Sequence, residues 1–152
     1  MTYHQDLRAG GTYALVMTLR KRTRLQVGKL GVYELSPGYY VYVGSALNGL
    51  SGRLNHHLRS EKKFHWHIDY LLSRAEVVEI WYTVSAEKLE CRWNAILSEL
   101  PGASPSIRGF GASDCRCYSH LHYFRTIPPL QFIGKETKQS GLLQAYRINL
   151  TV

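Results

Sequence analysis

The chain has 152 residues, 45% of them hydrophobic and 20% charged, enough apolar content to pack one domain and too much for wholesale disorder. Lysine and arginine number 19 against 11 aspartate and glutamate, a formal charge of +8 that favours a polyanionic partner such as nucleic acid. No stretch approaches the roughly 20 consecutive apolar residues of a membrane-spanning helix, and the polar start lacks a signal-peptide pattern, so no membrane partner and a cytoplasmic setting are expected.

Residues 11–19, GTYALVMTL, follow a double glycine and mix β-branched with aliphatic side chains, which predicts a buried strand. RKRTRL then carries four cations in six positions and reads as an exposed turn. A short strand is predicted to begin at Gln26 and Val27, followed by LGVYEL and the turn Ser36-Pro37-Gly38. GYYVYVG at 38–44 is aromatic and β-branched almost throughout, the clearest strand in the chain. Asn48 is a candidate cap for a helix over 49–62, where Leu50, Leu54 and Leu58 recur at spacing four and Arg53 and His57 share the adjoining face. A short helix is predicted over 65–74, a strand over 77–84, and a helix over 86–100 that ends at Pro101-Gly102. Residues 101–114 are rich in Gly, Ser and Pro and read as a loop, SHLHYF as a half-buried strand, KETKQSG as a loop, and AYRINLTV as a strand in a peripheral hairpin. The predicted fold class is α+β: a small central three-stranded antiparallel sheet flanked by helices, with an additional C-terminal β-rich extension. One domain over 1–152 is expected, with a core at 9–100 and a Cys- and His-containing extension at 101–152.

Phosphodiester hydrolysis needs an aligned water, an acceptor for its proton, a cation on the phosphoryl oxygens and help for the leaving oxygen. Gly11-Thr12-Tyr13 opens the first strand and Tyr42-Val43-Gly44 closes the third, with Arg53 eleven positions after Tyr42 and His57 one helical turn further on. In that order and spacing these residues resemble the GIY-YIG nuclease superfamily, which includes group I intron homing endonucleases, certain restriction enzymes and the incision subunit of bacterial nucleotide-excision repair. The likeness covers roughly residues 9–100. Within it, GTYALV, YVYVGSALNGL, HWHIDYLL, the Glu90-Cys91 pair and GFGASDCRCYSHLHYF resemble the DUF123 branch, found in archaea and bacteria and sometimes fused to a base-excision repair endonuclease.

The resemblance implies a GIY-YIG fold and a metal-dependent DNA endonuclease acting in repair or on structured DNA. It implies that Tyr13 or Tyr42 orients or deprotonates the attacking water, that Arg53 grips the scissile phosphate, and that Glu90 holds Mg²⁺ or Mn²⁺. His57 is a candidate proton shuttle or phosphate contact. Two departures stand out: Ser45 follows the Y-V-G where the family often has a cation, and Glu87 and Glu99 compete with Glu90. One alternative is a nucleic-acid-binding module on the same fold that has lost turnover.

His65, His67 and Asp69 form an H-x-H-x-D string, an auxiliary site that could add a metal ligand or a phosphate contact, or simply cap and tether the helix; in a helix His65 and Asp69 would share a face with His67 directed elsewhere, and in a strand all three would align. Cys91, Cys115, Cys117 and His120 make a candidate structural zinc set of soft and borderline ligands, the basis of a further alternative, a zinc-stabilised interaction domain. C-x-C is less usual for zinc than C-x₂-C, and the competing reading, slightly favoured, is a group of small buried thiols beside strand histidines. A disulfide across C-x-C would be strained, so all three cysteines are expected as free thiols.

Overall fold

The computed structural model describes residues 7–130 and 146–150. Its elements in chain order are β1 (Gly11–Leu19), β2 (Thr23–Val27), β3 (Gly31–Leu35), β4 (Gly38–Ala46), α1 (Leu50–Leu58), α2 (His67–Leu72), β5 (Glu76–Val84), α3 (Glu90–Ser98), β6 (Ser104–Pro105), β7 (Leu121–Phe124) and β8 (Tyr146–Asn149). The architecture is α+β, but the central sheet is larger than the three strands expected. Six strands run in the order β6-β7-β4-β1-β5-β8, and β2 and β3 form a separate two-stranded sheet. Every pairing is antiparallel.

The reason lies in burial. Eight of the nine residues of β1 are buried, so both of its faces and both of its edges need cover. The partners that can supply this are the other nine-residue strands, β4 on one side and β5 on the other. In contrast β2 and β3 alternate buried and exposed residues, as strands with one wet face do. They are therefore set aside as a hairpin between β1 and β4. The extension does not stand apart: β7 continues the sheet beyond β4, and β8 beyond β5. Thus the C-terminal strand is an edge of the main sheet rather than a peripheral hairpin, whereas the KETKQSG loop lies outside the described residues.

Side chains alternate across β1 into two cores. Tyr13, Leu15 and Met17 face α1, α2 and the β2–β3 hairpin through Leu50, Leu54, Ile68, Leu71, Leu25 and Leu35. Ala14 and Val16 face α3 through Trp93 and Leu97, with Val41, Val43 and Phe124 alongside. In α1 the buried stripe is Leu50, Leu54 and His57, and Leu58 is exposed, because position i+7 falls nearer the face of i and i+4 than position i+8 does. The N-cap position of α1 is Gly49, with no side-chain cap bond, so the expected Asn48 cap is not formed. Among the described residues no helix is long and apolar enough to cross a membrane.

Candidate active-site cleft and thiol cluster

Tyr13 and Gly44 are directly paired across β1 and β4. A Cβ at Gly44 would lie 2.5 Å from the Tyr13 hydroxyl oxygen, so the glycine makes room for the phenol to lie against the neighbouring strand. From there the Tyr13 hydroxyl reaches Nε2 of His57 on α1 at 2.6 Å. The Tyr42 ring centre stands 6.3 Å from the ring centres of both Tyr13 and His57. Thr12, on the other face of β1, accepts the Leu89 N–H at 3.3 Å just ahead of α3. The G-T-Y strand therefore touches α1 and the start of α3, which carry Arg53, His57 and Glu90.

Tyr42, Arg53 and Glu90 line one cleft of about 440 Å³, together with Ser45, His65, Trp66, His67, Lys88, Gly111 and Asp114. Tyr13 and His57 lie beneath it, both buried. Arg53 donates from Nη1 to the Ser45 carbonyl at 3.1 Å, and its guanidinium lies 4.2 Å from the centre of the Trp66 ring. That clamp fixes the fork of the arginine at the cleft without neutralising it.

Burial pushes the Tyr42 phenol up to about 12, against the pull of Arg53. The Tyr13 phenol is also pushed well above its ordinary value, first by burial and then by Tyr42. Burial drives His57 down to about 3, with Asp69 opposing and Lys62, Arg53 and His56 assisting. The imidazole is thus neutral at pH 7, and its Nδ1 has no hydrogen-bond partner among the described residues.

The H-x-H-x-D string divides differently from the helical expectation, because α2 begins only at His67. His65 and His67 both line the cleft. Asp69 turns inward instead, where it accepts the backbone N–H groups of His65 and Trp66 at 2.8 and 2.9 Å and lies 3.2 Å from His56 Nε2. Burial alone would raise the Asp69 carboxyl, but those bonds hold it below its ordinary value. Asp69 is a helix cap and tether. His67 Nδ1 accepts the Gly111 N–H at 2.9 Å and burial lowers its basicity, so the neutral ring carries its proton on Nε2.

Of the three candidate carboxylates on or beside α3, Glu90 lines the cleft, while Glu87 and Glu99 are exposed elsewhere. Sequence reasoning gave no part in this cleft to Trp66 or Lys88, and read Asp114 only as the head of the Cys115–Cys117 cluster. Lys88 supplies a cation where Ser45 leaves one wanting. Its signal was its place two residues before Glu90, as that of Asp114 was its place beside Cys115.

Behind the acidic side of the cleft, ligand atoms of Cys91, Cys115, Cys117 and His120 all lie within 4.8 Å of one another and could hold a metal ion. His120 Nε2 is 3.2 Å from Cys115 Sγ and 3.9 Å from Cys91 Sγ. Its Nδ1 donates to the Val43 carbonyl at 3.2 Å, leaving Nε2 free to ligate. The cysteines are free thiols, with Cys91 exposed and the other two half-buried, so the reading as small buried thiols does not hold. His122 plays no part, being bonded at 2.8 Å to Asn94 of α3.

The model of a family described as a domain of unknown function, DUF123, matches residues 12–141. No curated protein and no solved structure matches the chain.

Proposed function

Because the chain belongs to the DUF123 family, we propose, from the chemistry of its cleft, that it is a metal-dependent endonuclease of the GIY-YIG type, hydrolysing phosphodiester bonds in DNA. The observation that carries this reading is the convergence of Tyr42, Arg53 and Glu90 on one cleft, with the Tyr13–His57 pair at 2.6 Å beneath it.

Arg53 and Lys88 bind the scissile phosphate, drawn in by the positive charge of the chain. Tyr42 holds the attacking water. For that water to lose its proton through the Tyr42 oxygen, the Tyr42 hydroxyl turns to donate to Tyr13, whose own proton moves along the 2.6 Å contact to Nε2 of His57. His67 presents its Nε2–H to the cleft as a donor for phosphate or leaving oxygen. Glu90, with Asp114 lining the same cleft, offers the hard oxygen donors that suit Mg²⁺ or Mn²⁺, and the open volume leaves room for water and phosphate on the ion. When bound, such an ion supplies Lewis acidity that lowers the pKa of the attacking water. That help matters because neither a phenol near 12 nor an imidazole near 3 is a strong base at neutral pH. For the thiol cluster, the donor set of three sulfurs and one imidazole favours Zn²⁺.

The test is incubation with labelled branched, nicked and single-stranded DNA in Mg²⁺, Mn²⁺ or EDTA, beside Arg53→Ala. We expect metal-dependent cleavage that falls by about 100-fold or more in the variant, the scale of losing one charged transition-state contact. Cleavage that survives both EDTA and Arg53→Ala would sink the proposed site. The second reading, a binding module without turnover, is favoured by the high Tyr42 value and by an Arg53 already engaged with Ser45 and Trp66. Tight DNA binding with no cleavage on any substrate would select it.

A further inference from the structure

The two carboxylates of the cleft share an unusual position: Glu90 is followed by Cys91 and Asp114 by Cys115. Each cleft acid is thus the chain neighbour of a cluster thiol, although the two pairs come from different elements, the first turn of α3 and the loop before β7. The loop is closed at its neck by Gly109 N–H to the Tyr118 carbonyl at 2.7 Å and His120 N–H to the Phe110 carbonyl at 2.8 Å. Its tip, residues 113–117, carries Ser113 and Asp114 to the cleft and Cys115 and Cys117 to the cluster. Within that tip the Cys115 N–H to Ala112 carbonyl bond is long, at 3.5 Å.

We propose that Cys91, Cys115, Cys117 and His120 hold a structural Zn²⁺ that joins the loop tip to α3 and thereby fixes the spacing of Glu90 and Asp114 across the cleft. The geometry fits. A tetrahedral ion with ordinary Zn–S and Zn–N bonds separates sulfur from nitrogen by about 3.5 Å, and the two sulfur–nitrogen distances, 3.2 and 3.9 Å, bracket that value. The chemistry fits as well, since three thiols and an imidazole close a four-coordinate shell with no position left for water, the pattern of a structural rather than a catalytic zinc. The Val43 carbonyl orients the imidazole from behind, so β4 is the fixed point from which both acids are placed. This centre is separate from the Mg²⁺ or Mn²⁺ of the nuclease reading. The consequence for catalysis rests on that reading, whereas the zinc and its hold on the loop do not.

The experiment combines metal analysis, amide hydrogen exchange and DNA cleavage on the full chain and on Cys117→Ser. We expect about one zinc per wild-type chain and none in the variant, with Co²⁺ replacing zinc to give the absorption of a tetrahedral thiolate site. Amides of residues 109–120 should exchange about tenfold faster or more without zinc, while those of β1 keep their protection. A wild-type chain that neither carries nor takes up zinc overturns the proposal, as does zinc release that leaves exchange in 109–120 unchanged. The two readings fail separately. A zinc-loaded, protected loop on a chain that cuts no DNA upholds the zinc clamp and removes the nuclease. Wild-type cleavage by zinc-free Cys117→Ser upholds the nuclease and overturns the part of the zinc in placing the two acids.

Discussion

At Gly44 one hydrogen in place of a methyl group decides whether the buried pair forms. The Cβ of an alanine there would meet the Tyr13 oxygen at 2.5 Å and the ring carbon beside it at 2.6 Å, and Tyr13, fully buried, has no free space to enter. Gly44→Ala should therefore push the phenol from His57. We expect a stability loss of about 1–3 kcal/mol in urea unfolding, with DNA cleavage lost and DNA binding retained; a variant that cuts normally would disconnect Tyr13 from the reaction. His57 gives a second measurable consequence. Its folded pKa, near 3 through burial, lies below that of an unfolded histidine near 6.5. Its contribution to stability is thus fully present above that unfolded value, and is lost as pH falls toward 3 because the unfolded chain takes up the proton first. Between pH 6 and 4 wild-type stability should fall with a slope of up to about 1.4 kcal/mol per pH unit from this group. Urea unfolding of His57→Gln across that range should show a shallower acid limb, and an unchanged slope would assign it to other groups.

Among the elements, α1 and α2 depend on one another through Asp69. Its carboxylate receives the backbone N–H groups at the start of α2, lies 3.2 Å from His56 of α1, and stands 3.9 Å from Lys62. The Lys62 ammonium in turn donates to the carbonyls of His56 and His57 at 3.1 and 2.8 Å, closing the end of α1. Trp66, against which Arg53 stacks, hangs between these two caps, with the edges of His56 and His65 on its ring. Asp69→Ala should cost about 1–3 kcal/mol, because buried N–H groups lose their acceptor, and should weaken DNA binding by freeing Trp66 and Arg53; unaltered binding would show that the arginine is held without its support. How much of this was legible follows from what a sequence encodes locally. The β1 and β4 strands and the Arg53–His57 turn are visible because apolar runs and spacing are local properties. For Asp69 the sequence left ligand, phosphate contact and helix cap open, and the cap is what forms because α2 starts two residues later than its pattern indicates. That Trp66, Lys88 and Asp114 share the cleft was not legible for a related reason: they meet only after three separate connections have been folded against one strand.

For the molecule as a whole, the strands described after residue 100 join the same sheet as β1, β4 and β5. Strand order is a long-range property, and nothing in the run of residues 119–124 announces that β7 pairs with β4. Yet Phe124 and Leu130 sit in the same apolar cluster as Trp93 and Leu97. Asn94 of α3 donates to the Ser119 carbonyl at 2.9 Å and meets His122 at 2.8 Å. On the opposite edge Arg147 pairs with the buried Glu79 at 3.2 Å. A chain cut after residue 100 would lose β7 from β4 and β8 from β5 at once, leaving two strands of mostly buried residues as open edges. Open apolar edges pair with other chains, and the second core would lose two of its buried side chains. Residues 1–100 should therefore elute as aggregates in size-exclusion chromatography and unfold without a cooperative thermal transition by circular dichroism, whereas 1–152 should elute as a discrete species and melt cooperatively. A monomeric, cooperatively melting 1–100 would show instead that the six-stranded sheet is built around a self-sufficient core.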